Sequence, residues 1–117
     1  MENKPSILRD KSYAFALRIV NLYKSLADEN REFVLSKQVL RSGTSIGANI
    51  AEANQAQSRS DFVHKLSISL KEETEYWLNL LRDSSYITDS QASSLLEACC
   101  ELQKILTSSI KTAKANK

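Results

Sequence analysis

Residues 39–59, VLRSGTSIGANIAEANQAQSR, decide the fold, and they contain both glycines of the chain. Gly43 and Gly47 lie four residues apart among small side chains. Three interpretations are considered: a phosphate-binding loop, a hinge, and a helix that another element approaches closely. A Walker loop needs a lysine directly after its last glycine, and a dinucleotide fingerprint needs a third glycine after a strand. GTSIGAN supplies neither and lies within a helical pattern, so we predict a helix.

A helical wheel at 100° per residue separates two faces of this predicted helix. One broad arc holds its apolar and smallest residues: Leu35, Val39, Leu40, Gly43, Ile46, Gly47, Ile50 and Ala51. Each glycine costs about 1 kcal/mol relative to alanine inside a helix. Close packing by another helix would offset that cost, so we expect Gly43 and Gly47 to lie at a helix–helix contact in the core.

Composition agrees with a helical fold. The 117 residues are 42% hydrophobic and 26% charged, which is ordinary for a globular protein and enough for one domain. An all-β domain needs many tight turns, and two glycines and one proline provide too few. We therefore expect long helices.

Four amphipathic stretches can be delimited, at about residues 10–28, 31–57, 59–83 and 89–112. In the first, Phe15, Ile19, Leu22 and Leu26 recur at helical spacing, with Ala14 and Leu17 beside them. Capping-box spacings precede the third and fourth stretches, at Ser58 with Asp61 and at Thr88 with Gln91. Short connections between four such helices predict an all-α, antiparallel up-down-up-down four-helix bundle, with residues 1–117 as one domain.

Charge and cysteine content bound the environment. The formal charge of +2 is below that of a dedicated nucleic-acid binder, and the lysine-rich segment KTAKANK at residues 111–117 is expected to be a solvated end. Cys99 and Cys100 are adjacent on a predicted helix and cannot form an ordinary disulfide, which favours a reducing compartment. No signal peptide or membrane span is apparent, so we expect a cytoplasmic protein without membrane contact.

A polar stripe of Arg41, Ser45, Asn49 and Glu52 lies nearly opposite the apolar arc. Most such stripes face water. This one has short side chains and few of the lysines and glutamates that usually cover an exposed helix, which suits a second subunit or a ligand. Both interpretations remain open at this point.

Metal and nucleophile chemistry find little support. Asp61 and the lone histidine, His64, resemble half of a di-iron motif, but such sites need two histidines and further carboxylates. We therefore expect no metal and no cofactor. A cysteine nucleophile would need His64 as its base from another helix, and a buried cysteine that acts as a small apolar residue is far commoner.

Acidic and aromatic residues also cluster in the third stretch. Glu72, Glu73 and Glu75 are expected to face solvent or to pair with cations of a neighbouring helix. Tyr76 and Trp77 are expected in the core, because base-stacking platforms usually lie on sheets. We expect no catalytic residues.

The motif RSGTSIGANIAEA (residues 41–53), with KSYAFALRIV (11–20) and EYWLNLL (75–81), resembles the bacterial 23S ribosomal RNA intervening-sequence family, over about residues 7–110. The family pattern falls here on Arg41, Ser45, Ile46, Asn49, Ile50, Ala51 and Glu52. Many members have glycine after that glutamate, whereas this chain has Ala53, which predicts a longer, uninterrupted second helix.

The resemblance implies a four-helix bundle that assembles into rings of five, and it implies no enzymatic activity. A related accessory protein of diversity-generating retroelements forms such a ring and engages a reverse transcriptase and nucleic acid. We therefore expect a non-enzymatic homo-oligomer, an accessory or adaptor whose partners are itself and RNA, DNA or a nucleic-acid enzyme. The alternatives are a purely structural protein–protein interaction module without nucleic-acid binding and, third, a small-molecule-binding bundle or enzyme.

Overall fold

The structure, a computed structural model, describes residues 4–116, with side chains described from residue 7 onward. This range contains the following helices: α1 (Lys4–Glu29), α2 (Leu35–Ala53), α3 (Arg59–Leu70), α4 (Thr74–Asp83) and α5 (Asp89–Ala115). No strand occurs within residues 4–116, which confirms the predicted all-α class. None of these helices is both long enough and apolar enough to span a membrane.

The helices form a four-helix bundle in which α3 and α4 together take the place of one helix. As residue numbers rise along one helix, the residues they contact on the neighbouring helix fall in number. Between α1 and α2 the contacts are Ser12–Gly47 and Ile19–Gly43, and between α2 and α3–α4 they are Ser42–Thr74 and Ile46–Ser69. Between α1 and α5 they are Lys11–Glu101 and Arg18–Ser94. Neighbouring helices are therefore antiparallel. The bundle is 49 Å long and 22 Å across.

Apolar side chains from all five helices fill the axis of the bundle. The largest fully buried ones are Phe15, Leu8, Ile19, Leu26, Ile50, Leu66, Leu78, Leu81, Leu102, Leu106 and Val39. The predicted periodicity of α1 is confirmed at Phe15, Ile19 and Leu26, whereas Ala14 and Leu17 are exposed. Leu17 lies on the far side of the helix, because it is two positions from both Phe15 and Ile19 and is rotated by about 200° from each, and Ala14 is rotated by about 100° from Phe15.

α1 begins at Lys4, six residues before the predicted start. Pro5 does not prevent this, since proline is tolerated in a first helical turn, where its missing N–H would have no partner in the helix.

α2 is shorter than predicted at both ends. It begins at Leu35 instead of 31, because Arg31 adopts a left-handed φ of 54° and Glu32 caps the helix. The Glu32 carboxylate accepts hydrogen bonds from the backbone N–H groups of Val34, Leu35 and Ser36 at 3.1, 2.9 and 2.7 Å. Burial by itself raises the pKa of Glu32, but these hydrogen bonds to its charged form lower it below the usual value.

The C-terminus of α2 contradicts the prediction of a helix that continues to residue 57. The helix ends at Ala53, which is the last buried position of this segment. Beyond it, Gln55 and Ala56 donate to Glu52 and Ala53 in tighter, three-residue turns. Residues 54, 55, 57 and 58 are all exposed, so a further turn of helix would gain no buried apolar surface.

The predicted third helix, residues 59–83, is interrupted at residues 71–73. Ser69 and Thr74 both face α2, yet on a continuous helix a five-residue separation would rotate them about 140° apart. The interruption removes this difference and returns Thr74 to the core, where it is fully buried.

Both predicted N-caps are present. Ser58 Oγ accepts from the Asp61 N–H at 3.0 Å. Thr88 and Gln91 form the complete capping box, in which each side chain bonds the other's backbone N–H. These bonds satisfy N–H groups that a helix N-terminus leaves without helical partners.

Candidate interaction surface

The outer face of α2 carries the predicted polar stripe, with Arg41 and Glu52 exposed and Ser45 and Asn49 half-buried. Asn49 donates from Nδ2 to the Ser45 carbonyl oxygen at 2.9 Å, so these two residues are tied to each other along the helix. The stripe is therefore only partly available to a partner.

The two charged members of the stripe differ in their surroundings. Glu52 accepts a hydrogen bond from Lys65 Nζ of α3 at 2.8 Å, and this hydrogen bond, with the charge of Glu52, raises the pKa of Lys65. The Arg41 guanidinium has no hydrogen-bond or ion-pair partner among residues 4–116. Arg41 is thus the charged member of the stripe whose side chain makes no hydrogen bond or ion pair with another described residue.

The two glycines contact α1 to different degrees. A Cβ atom on Gly43 would lie 2.8 Å from Cγ1 and 3.0 Å from Cγ2 of the fully buried Ile19. A Cβ on Gly47 would lie 3.4 Å from the Ser12 carbonyl oxygen, which is an ordinary contact. Only at Gly43 does α1 approach too closely for a larger residue to fit without movement.

The apolar arc of α2 is rotated relative to the prediction. Ala51 is exposed, and Ser36 and Ser42, which the pattern did not place in the core, are fully buried. The hydroxyl groups explain their burial, since Ser36 Oγ donates to the Glu32 carbonyl at 2.6 Å and Ser42 Oγ lies 3.1 Å from Thr74 Oγ1. A serine whose hydroxyl is bonded can face the core at little cost.

An exposed apolar pair, Tyr13 and Leu17, lies on the outer face of α1. Tyr13 is 67% exposed and Leu17 is 50% exposed, and both line a shallow groove of about 390 Å³. The contact of Gly43 with Ile19 places the Arg41 segment of α2 near the height of Ile19, beyond Leu17 along α1. Sequence reasoning missed this surface, although the four-residue spacing of two apolar residues opposite Ile19 was a signal for it.

Charge is distributed unevenly along the bundle. We define the basic end as residues 7–12, 48–66 and 101–116, where α1 and α3 begin and α5 ends. Among its described side chains, seven cations outnumber four acids: Arg9, Lys11, Arg59, Lys65, Lys104, Lys111 and Lys114 against Asp10, Glu52, Asp61 and Glu101. At the opposite end, residues 24–37 and 79–93, five acids slightly outnumber four cations.

The residues considered for catalysis are dispersed. His64 is exposed on α3 and Cys100 is exposed on α5, whereas Cys99 is buried. Burial, with a smaller contribution from the charge of Glu75, raises the pKa of the Cys99 thiol to about 11. This thiol is therefore protonated, and a weak nucleophile, at neutral pH. Within residues 4–116, no group of three or more histidine, cysteine or acidic side chains is placed to hold a metal ion.

The acidic and aromatic residues near the helix break are only partly as predicted. Glu73 and Glu75 are exposed, and Glu72 is half-buried. Trp77 packs against the core, as predicted, and its buried indole N–H has no partner among the described residues. Tyr76 is 60% exposed and not in the core, since it points away from the buried face of α4 and meets Trp77 edge-on at 5.0 Å.

The family model for the 23S rRNA-intervening sequence protein matches residues 5–108, which is nearly the whole chain. The chain belongs to this family. This confirms the resemblance found at residues 41–53, within α2 of the bundle.

A solved structure supports the assignment of this intervening-sequence family member. A protein with unknown function from the S23 ribosomal protein family of Bacteroides thetaiotaomicron is 59% identical. The similarity covers 93% of this chain and 99% of that chain, with a TM-score of 0.92. Among curated proteins, none is significantly similar to the chain. The comparisons therefore identify the family and the fold, and they assign no activity.

Proposed function

We propose that this protein is a non-enzymatic homo-oligomeric bundle, assembled as a ring of five, that acts as an accessory or adaptor in a process involving nucleic acid. The ring is what the family resemblance implies, and the family description links its members to 23S rRNA intervening sequences. The raised pKa of Cys99 supports a non-catalytic role, because the best nucleophile of the described core is held protonated.

The exposed apolar pair on α1 is the observation that carries the oligomeric part of the proposal. Tyr13 and Leu17 are both large and at least half exposed, and they lie one helical turn apart on the face opposite Ile19. Contiguous exposed apolar patches mark interaction sites, and aromatic side chains are enriched in protein–protein interfaces. A second copy of the chain would remove both from water.

Arg41, on the neighbouring helix α2, supplies the polar component of the proposed interface. Its guanidinium has no partner among the described residues, and the α2 side chains that follow it are short, with Thr44 bonded to its own helix at Leu40 O and Ala48 exposed. Short side chains let another helix approach, and an arginine fork can bind a carboxylate or several carbonyl groups there. The proposed interface therefore combines an apolar pair on α1 with a free arginine on α2.

Light scattering and circular dichroism on the same samples test the interface. We expect Arg41→Ala and Leu17→Ser to lower the oligomeric mass at low protein concentration while the helical signal is unchanged, since both positions are exposed. The matched control is Val34→Ser, which removes a more exposed aliphatic side chain (71%, against 50% for Leu17) from the α1–α2 connection. An unchanged mass in both interface variants would exclude this surface, and a monomeric wild-type chain would exclude the oligomer.

A further inference from the structure

A stripe of lysines runs along the last four turns of α5. Lys104 and Lys111 line one groove of about 530 Å³ on the outer face of this helix, and Lys114 follows one turn later. From residue 102 to the end of the chain there are four lysines and no acid. We call Lys104, Lys111 and Lys114 the α5 stripe.

The acids closest to the α5 stripe are already engaged by other cations. Glu101, one turn before Lys104, bonds Lys11 of α1 at 3.1 Å. At the same end, Lys65 bonds Glu52 and Arg9 bonds Asp10. These pairs leave the three lysines of the α5 stripe, with the exposed Arg59 at the start of α3, without an ion-pair partner among residues 4–116.

The α5 stripe also extends beyond the neighbouring helix. The contact of Lys11 with Glu101 aligns α1 with α5, and from there α1 continues for seven residues to Lys4 while α5 continues for fourteen to Ala115. At 1.5 Å per residue, α5 projects about 10 Å past the start of α1. Lys111 and Lys114, on this projecting part of α5, are both exposed.

The chemistry of the groove favours repeated phosphates. Between and beside its lysines lie the hydroxyl groups of Thr107 and Thr112 and the amide of Gln103, which are side chains that bind phosphate oxygens along nucleic-acid backbones. Lys104 and Lys111 are two turns apart, about 10.5 Å along the helix, so they can reach different phosphates of one strand. Among the described residues, the groove lining contains no aromatic or large aliphatic side chain of the kind that inserts into a membrane surface.

We infer that the α5 stripe binds the phosphate backbone of a nucleic acid without reading its sequence. This inference rests on the proposed function and gives it a location, on a surface separate from the proposed subunit interface on α1 and α2. In an oligomer the stripe is repeated in every subunit, so a chain of small net charge presents many cations to one strand.

Fluorescence anisotropy on the full-length protein tests the inference. The probes are a labelled mixed-sequence single-stranded RNA and a DNA duplex, titrated at several salt concentrations. We expect Lys104→Gln/Lys111→Gln to bind more weakly by roughly 25- to 60-fold at about 0.1 M salt for each subunit that contacts the strand. The slope of log K against log salt should be reduced by about 0.7 per lysine for the single strand and about 0.9 for the duplex.

The matched control is Lys24→Gln/Lys37→Gln, which removes the same charge from exposed lysines at the opposite end. An equal loss of affinity in this control would overturn the inference in favour of a general charge effect. A fall in oligomeric mass in the Lys104/Lys111 variant would assign the stripe to subunit contact instead. Tighter binding of the wild type to phosphatidylserine vesicles than to either nucleic acid would also overturn the inference, in favour of a membrane surface.

Two outcomes separate this inference from the proposed function. If the wild type binds nucleic acid and the Lys104/Lys111 variant binds equally well, the location is wrong while the proposed function stands. If the wild type binds neither probe, both the location and the nucleic-acid part of the proposed function are wrong. The expected result is selective loss in the α5 variant at unchanged mass and helicity.

Discussion

Replacing each glycine of α2 with alanine should change stability in opposite directions. At Gly43 the new Cβ would lie 2.8 Å from Cγ1 of Ile19, closer than carbon atoms approach without displacement. Ile19 is fully buried, and as a β-branched residue in a helix it strongly prefers a single χ1 rotamer, so it cannot move aside at low cost. Overpacking of this kind costs about 1–3 kcal/mol, against a gain of about 1 kcal/mol from better helix propensity. We expect Gly43→Ala to lower the free energy of unfolding by about 1 kcal/mol.

Gly47→Ala is the matched comparison, because its Cβ meets the Ser12 carbonyl at an ordinary 3.4 Å. The helix-propensity gain should dominate there, so this variant should be more stable than wild type by up to about 1 kcal/mol. The two variants should then differ by about 2 kcal/mol, or roughly 8 °C in melting temperature for a domain of this size. Thermal and urea unfolding at one fixed protein concentration measure the difference, since melting of an oligomer depends on concentration.

A double-mutant cycle with Ile19→Ala identifies the cause. If the new methyl group at position 43 displaces Ile19, removing the Ile19 side chain should make Gly43→Ala less costly by more than about 0.5 kcal/mol. Equal stability of Gly43→Ala and Gly47→Ala would falsify the reasoning, because it would mean that α1 shifts away from residue 43 at negligible cost.

Two further predictions concern buried hydroxyls and a helix cap. Thr74→Val should lower the free energy of unfolding in urea by about 1–3 kcal/mol, because it leaves the Ser42 hydroxyl buried without its partner. Ser42→Ala/Thr74→Val should cost less than the sum of the two single changes. Strict additivity would contradict the pairing. The lowered pKa of Glu32 contributes stability above its unfolded value of about 4.5 that is lost as pH falls through the folded value. Glu32→Gln should therefore lower the free energy of unfolding by about 1 kcal/mol at about pH 7. The variant should also lose less stability than wild type between about pH 5 and pH 3, and an unaltered pH profile of stability would exclude the cap.

The parts of the fold that could be predicted from the sequence depend on local chemistry or on long apolar repeats. The Thr88–Gln91 capping box is fixed by four consecutive residues, and the spacing of Phe15, Ile19 and Leu26 defines a core face without reference to other helices. The interruption at residues 71–73 could not be predicted, because KEE contains neither glycine nor proline. It follows from the contact of Thr74 with α2, which is a long-range effect.

The candidate surface shows the same limit. Periodicity placed Arg41 on the outer face of α2, where the structure has it, but it also placed Leu17 beside the core. A helical wheel does not say how wide the covered arc is, since that depends on where the neighbouring helices lie. Which residues contact a partner depends on the partner's own surface, and no pattern within this chain contains that information.

The interruption between α3 and α4 has a consequence for how the bundle opens. The two segments have 12 and 10 residues, and helices this short are marginal in water on their own. Their amide protons are protected only while α2 and α5 hold them, whereas the 27-residue α5 has enough length to retain helical turns alone. Slow hydrogen exchange should therefore concentrate in α1, α2 and α5, with α3 and α4 as the unit that exchanges first by local unfolding.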